Sequence, residues 1–461
     1  MQTTKENKMG VQSVNSLLLG MAIPMMISML VQALYNIVDT MFVSKIGQDA
    51  LTALSLAFPV QNLLIAVSVG TGVGVNALLS RSLGEKNFSR ANRTAENGIF
   101  LSMVSAFVVM ILGFTIVKPF FRSFGTSENI VSLGTDYLSI CMIFSFGLFG
   151  QVMYEKLLQS TGKTMYSMIV QLIGAVTNII LDPIMIYGLC GLPAMGVKGA
   201  AYATVIGQIV ALCAGIVINA KFNREIKVTL KGCAKPSGEI IKRIYAVGIP
   251  SICMASIGSI MNVCINQTMR LFAATTAATG QAVFGIYFKL QSFVFMPIFG
   301  LNNSMVPIVA YNFGAKNPDR IKKTIKLSVI YACSIMALGL LAFQIVPEAL
   351  LRIFDTGSDD MKEIIRIGKP MMRSISISFI PAGYCIVAGS VFQALGKGTL
   401  SLIVSVLRQL GVLVPVAFLL AFFTRDITVM WLSFPTAEIA SLTLSYIFMK
   451  KIYKNEIDPL K

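Results

Sequence analysis

The chain has 461 residues, 55% of them apolar and only 13% charged, with a mean hydropathy of +0.75 and a net charge of +17. A soluble domain carries about 25% charged residues, so lipid is the main solvent, and little chain is left between apolar stretches to build a soluble catalytic domain. Histidine is absent, which removes the commonest transition-metal ligand and the usual neutral-pH proton relay.

In chain order, Met1 to Ser16 is polar and lacks the basic start, apolar core and cleavage site of a signal peptide. The first apolar stretch is therefore read as a retained helix. Twelve stretches follow, at 16–43, 52–79, 94–117, 132–158, 165–187, 197–220, 243–271, 279–310, 325–347, 371–395, 399–422 and 428–449. Each is long enough to cross ~30 Å of hydrocarbon as a helix, and the alternation of an outer-membrane barrel is missing. The expected fold is an all-α membrane protein with twelve transmembrane helices in two six-helix lobes, related by a pseudo-two-fold along the membrane normal. The N-terminal lobe is 1–220, a cytoplasmic linker is 221–243 and the C-terminal lobe is 244–461.

The eight cysteines are scattered and form no C-x-x-C pair, so no disulfide framework and no metal site is expected. With both termini on one side, 25 of the 38 Lys and Arg fall on that side. Positive loops stay in the cytoplasm, so both termini are expected there, and the basic excess is a topology signal with no nucleic-acid partner behind it.

Charge at membrane depth is costly and points to function. In the first stretch Gln32, Tyr35, Asn36 and Asp39 are spaced i, i+3, i+4, i+7 and form one polar stripe. In the fifth, Asn178 and Asp182 share a face, and Pro183 lacks the N–H that would satisfy the carbonyl of Ile179. Carboxylates, an amide oxygen and a free carbonyl suit a small cation or a proton. The two acids belong to one half and lie at similar depth, and two close carboxylates resist carrying two charges at once. Met is adaptable toward varied apolar ligands and aromatic faces bind cations. Met29, Gln32, Tyr35, Gln151, Met153, Tyr154, Phe288 and Tyr384 are thus candidates for a substrate pocket. Glu438, Arg408 and Lys289 are placed near mid-depth and are read as a structural charge cluster.

The chain also repeats itself. Ile23-Pro24 recurs as Ile249-Pro250. Gly84 to Arg90 recurs as Gly314 to Arg320, 230 positions on, and Gln159 to Lys163 recurs as Gln393 to Lys397. Six helices per half give a parallel repeat, an architecture of secondary transporters in which substrate binds between the halves.

The run Gln32-Ala33-Leu34-Tyr35-Asn36-Ile37-Val38-Asp39-Thr40, the two G-x-K-N turns, Leu158 to Lys163, Asn178…Asp182-Pro183 and Gly199 to Thr204 resemble the multidrug and toxic compound extrusion (MATE) family, in wording its bacterial MepA-like branch. The resemblance spans the first to the last helix. It implies a V-shaped pair of lobes, no enzyme activity, no ATP site and no cofactor beyond a coupling H⁺ or Na⁺. It also implies export of small organic cations by antiport, from a chain expected to be monomeric in the lipid bilayer of the bacterial inner membrane. Carried over residue by residue, it makes Asp39, Asn178, Asp182 and Thr204 the coupling-ion site, with Asn36 beside them. The second half departs from the pattern: no acid lies inside its first or fourth helix, and an ion site there is not expected. The alternative is a lipid-linked oligosaccharide flippase of the related superfamily, which would need a wide basic cavity for pyrophosphate.

Overall fold

The computed structural model describes residues 7–272, 277–354 and 361–460. In the first half, α1 is Val14–Ser44, α2 Gln48–Gly84, α3 Phe88–Thr115, α4 Glu128–Ile143, α5 Phe146–Ser160, α6 Thr164–Tyr187 and α7 Val197–Phe222. In the second, α8 is Gly238–Phe272, α9 Ala277–Gly314, α10 Pro318–Ile345, α11 Met361–Ser376, α12 Phe379–Ala394, α13 Gly398–Thr424 and α14 Ser433–Ile452. Ten of the described helices are long and apolar enough to cross a membrane alone. The pairs α4 with α5 and α11 with α12 each make one further span, bent by 46° and 50°. Counted as one span each, they bring the described residues to twelve, and the two stretches read as single helices at 132–158 and 371–395 are in fact broken. Each break sits at a serine, Ser145 or Ser378, where backbone bonds tighten to i→i+3.

The repeat is visible in backbone conformation. Lys86 and Lys316 both adopt positive φ, 56° and 54°, and so do Gly162 and Gly396, at 81° and 79°. Asn87 and Asn317 cap the helices that follow, each accepting from the backbone N–H of an arginine three residues on. The halves differ in the helix containing Pro183 or Pro415. The first keeps α-helix, whereas α13 carries a π segment at Leu407–Leu413, in which the Val414 N–H reaches back to Gln409. Such segments accommodate a lost helical bond and recur at functional sites.

An even number of spans puts both chain ends on one face, the terminal face. There the halves close on each other, α2 on α8 and α9 on α1 and α2. Glycines permit the approach. A Cβ on Gly74 would lie 2.1 Å from the Ile244 carbonyl oxygen, and one on Gly300 would lie 2.6 Å from Met26 Cα. The N-terminal segment clasps the same face. Asn7 donates to the Thr161 carbonyl in the first half and to Glu225 in the linker. The Met9 carbonyl accepts from Asn312 and Arg320 in the second.

The basic connection between halves is not a free tether. It contains a short helix, Leu230–Cys233, and α8 already begins at Gly238. Glu96 of α3 accepts from the backbone N–H and the hydroxyl of Thr229, at 3.0 and 2.7 Å. Asn92 and Asn97 accept from the backbones of Lys227 and Ser237. A turn of polar side chains on the end of α3 thus holds the linker in place.

Candidate ion and substrate site

Asp182, Asn178 and Thr204 are buried, at 0%, 2% and 8% exposure. They meet because α6 packs along α7. Asn178 donates to the Thr204 hydroxyl at 3.3 Å and lies 3.5 Å from Asp182. From α1, the Asp39 carboxyl faces Asp182, and Tyr35 lies beside Thr204. Three oxygens, Asp39 Oδ1, Asn178 Oδ1 and Asp182 Oδ2, are buried without a protein partner among the described residues. Buried polar atoms are seldom left so. No Lys or Arg among the described residues pairs with either acid. The arrangement offers two carboxyls and an amide oxygen, a set of hard oxygen donors that fits a bound cation or a shared proton.

Asn36 is exposed and its side chain does not join this group. The sequence reading missed the shell behind the acids. Gln61 of α2 donates to the Tyr137 hydroxyl at 3.0 Å and lies 3.9 Å from the Cys141 sulfur. An amide in an apolar helix, and Tyr137 with Cys141 at i, i+4, were the available signals.

The candidate pocket residues do not all converge: Gln32, Tyr35 and Gln151 gather along α6, and the others lie apart. Gln32 accepts from Gln171 at 2.9 Å, and Gln151 donates to Glu155 at 2.9 Å. Met29 and Tyr154 are half-buried. Met153, 1% exposed, fills the core against Gly98 and Val75 and is not a pocket residue. Phe288 packs edge-on to Phe284 and Tyr287 within the second half. Tyr384 faces a groove between α10, α12 and α14, lined wholly by second-half residues including Lys326, Lys450 and Tyr453.

The charge cluster is a pair. Arg408 Nη1 meets Glu438 Oε1 at 2.8 Å. Lys289 is exposed and its ammonium lies over the Phe354 ring, 5.7 Å from the centroid. Around the pair, Glu438 Oε2 and the hydroxyls of Tyr287, Ser441 and Ser445 lack protein partners among the described residues.

A family model described as MatE matches residues 24–184 and 255–419, once in each half. The chain belongs to the MatE family. The first matched segment of this MatE protein contains Asp39, Asn178 and Asp182. The chain is 26% identical to the probable multidrug resistance protein YoeA of Bacillus subtilis, over 98% of this chain and 96% of that protein. It is 28% identical to the multidrug export protein MepA of Staphylococcus aureus, over 87% and 85%. The solved outward-facing conformation of a multidrug resistance MATE family transporter superposes with a TM-score of 0.90 at 24% identity, over 98% and 99% of the two chains, a likeness of fold. The matched regions and the two-half architecture are those of transporters, and the MatE protein is not an enzyme.

Proposed function

We propose that this MatE protein is a multidrug efflux transporter that exports small organic cations in exchange for H⁺ or Na⁺. The carrying observation is the Asp39–Asp182 pair: two facing carboxyls with three unpartnered buried oxygens in the site and no basic partner among the described residues. The pair holds either the coupling ion or the charge of the drug, and entry of one expels the other. Halves 1–220 and 244–461 move about the linker 221–243. The protein sits as a monomer in the bacterial cytoplasmic membrane, with both termini in the cytoplasm. The closed terminal face then makes the conformation outward-facing. The likeness to a probable multidrug resistance protein and a multidrug export protein supports drug efflux, and the cationic class rests on the acid pair.

The flippase reading needs clustered, free basic groups. Arg408 is engaged with Glu438, Lys289 lies on Phe354, and the buried Lys156 is bonded to Gln159 and Asn303. The test is ethidium export from vesicles under an imposed H⁺ gradient and then an imposed Na⁺ gradient. Export driven by one of them supports antiport, and indifference to both refutes it.

A further inference from the structure

The face of α6 that carries Asp182 continues through the membrane. Ser167, Gln171, Gly174, Asn178 and Asp182 recur at steps of four, three, four and four, which is one helix face. All five are buried. From Asp182 to Ser167 the stripe runs about 22 Å at 1.5 Å per residue. Each step has a polar neighbour from another helix. Asn178 bonds Thr204, Gln171 bonds Gln32 and Ser28, and Ser167 bonds Gln159 at 3.0 Å. Gly174 leaves a gap in the stripe, and the Gln151 amide stands opposite it. Gln151 in turn donates to Glu155, a carboxylate 8% exposed in the terminal half of α5.

We propose that Glu155 is a second cation-accepting carboxylate. The ion taken up at Asp39–Asp182 passes along this stripe to Glu155 and leaves to the terminal face. The proposal rests on the antiport reading. When the ion is a proton, Glu155 gains it as a neutral acid and returns it to water on the terminal side. Lys156 adds the gate. Its ammonium donates to Gln159 and, across the halves, to Asn303 of α9, both at 3.0 Å, with its chain lying against Gly72. Separation of the halves on the terminal face breaks the Asn303 bond and frees a cation beside Glu155. Among the other charges of the packed helices, Glu96 of α3 holds Thr229, Arg81 of α2 and Arg90 of α3 hold Glu85, and Lys198 and Lys221 of α7 meet Asp136 and the Phe222 ring. Lys156 is the charged group that acts on Glu155 from α5 itself.

The test uses full-length protein in everted vesicles, whose bath contacts the terminal face. Ethidium export is driven by a fixed lumenal H⁺ or Na⁺ concentration while the same ion is raised in the bath. Wild type should slow as bath ion rises. Glu155→Gln, which preserves size, should export about tenfold more slowly or worse, lose the bath dependence, and still bind ethidium like wild type. Wild-type rate and wild-type bath dependence in Glu155→Gln would overturn the proposal. Wild-type protein that ignores both gradients would instead sink the antiport reading beneath it. Where the glutamine variant does not accumulate, Glu155→Asp carries the test. It should export slowly with bath dependence retained, and an unchanged rate would count against the proposal.

Discussion

Gly84 and Gly314 make the same contact in opposite directions. A Cβ on Gly84 would lie 1.9 Å from the carbonyl oxygen of Tyr311, and one on Gly314 would lie 2.2 Å from that of Arg81. The two halves therefore meet reciprocally on the terminal face, as a parallel two-fold repeat requires. Gly70 against Ile252 and Gly300 against Met26 repeat the reciprocity one layer deeper.

Gly84→Ala forces backbone apart from backbone, which a rotamer change cannot relieve. Overpacking of this kind costs about 1–3 kcal/mol. The purified variant should melt several degrees below wild type, and Gly314→Ala should do the same. Unchanged melting of both would mean that the terminal seal contributes nothing to the stable conformation.

Asp39→Asn and Asp182→Asn should each abolish gradient-driven ethidium export at normal membrane yield. Asn keeps the shape but cannot ionise. The double variant should be little worse than either single, because groups acting as one unit are not additive. Losses that multiply would separate the two acids into independent sites.

Glu438→Gln should lower the amount of folded protein in the membrane. It leaves the Arg408 guanidinium without its counter-charge, at a cost of about 3–5 kcal/mol for a buried pair. Normal yield with lost export would move Glu438 from the scaffold into the transport path.

Glu96→Ala should release the linker. Thr229 loses both of its bonds to that carboxylate, and trypsin should cut faster at Lys227, Lys231 or Lys235. An unchanged digestion rate would show that Asn92 and Asn97 suffice to hold the segment.

The spans, the repeat and the pair Asp39–Asp182 were legible in the sequence because each depends on local pattern: apolar length, turn chemistry, helical spacing. What depends on rotation about a helix axis was not. Lys289 and Phe288 are neighbours in sequence, yet one points outward to Phe354 and the other into an aromatic cluster. Glu155 and Lys156 sit close to a predicted helix end, whereas the packing of α5 on α2, α3, α6 and α7, with Asn303 of α9 on Lys156, buries them. The docked linker and the N-terminal clasp rest on contacts between distant segments, Thr229 with Glu96 and Met9 with Arg320. No local pattern announces such contacts.

The central claim is that drug and coupling ion compete for the Asp39–Asp182 carboxyls. Ethidium affinity, measured by fluorescence on purified protein across a range of H⁺ and then Na⁺ concentrations, tests it most directly. Wild-type affinity should fall as the coupling ion rises, and in the double variant Asp39→Asn, Asp182→Asn it should be weak and independent of both ions. A wild-type affinity that stays constant across both titrations, or a double variant that keeps the wild-type dependence, would contradict the account.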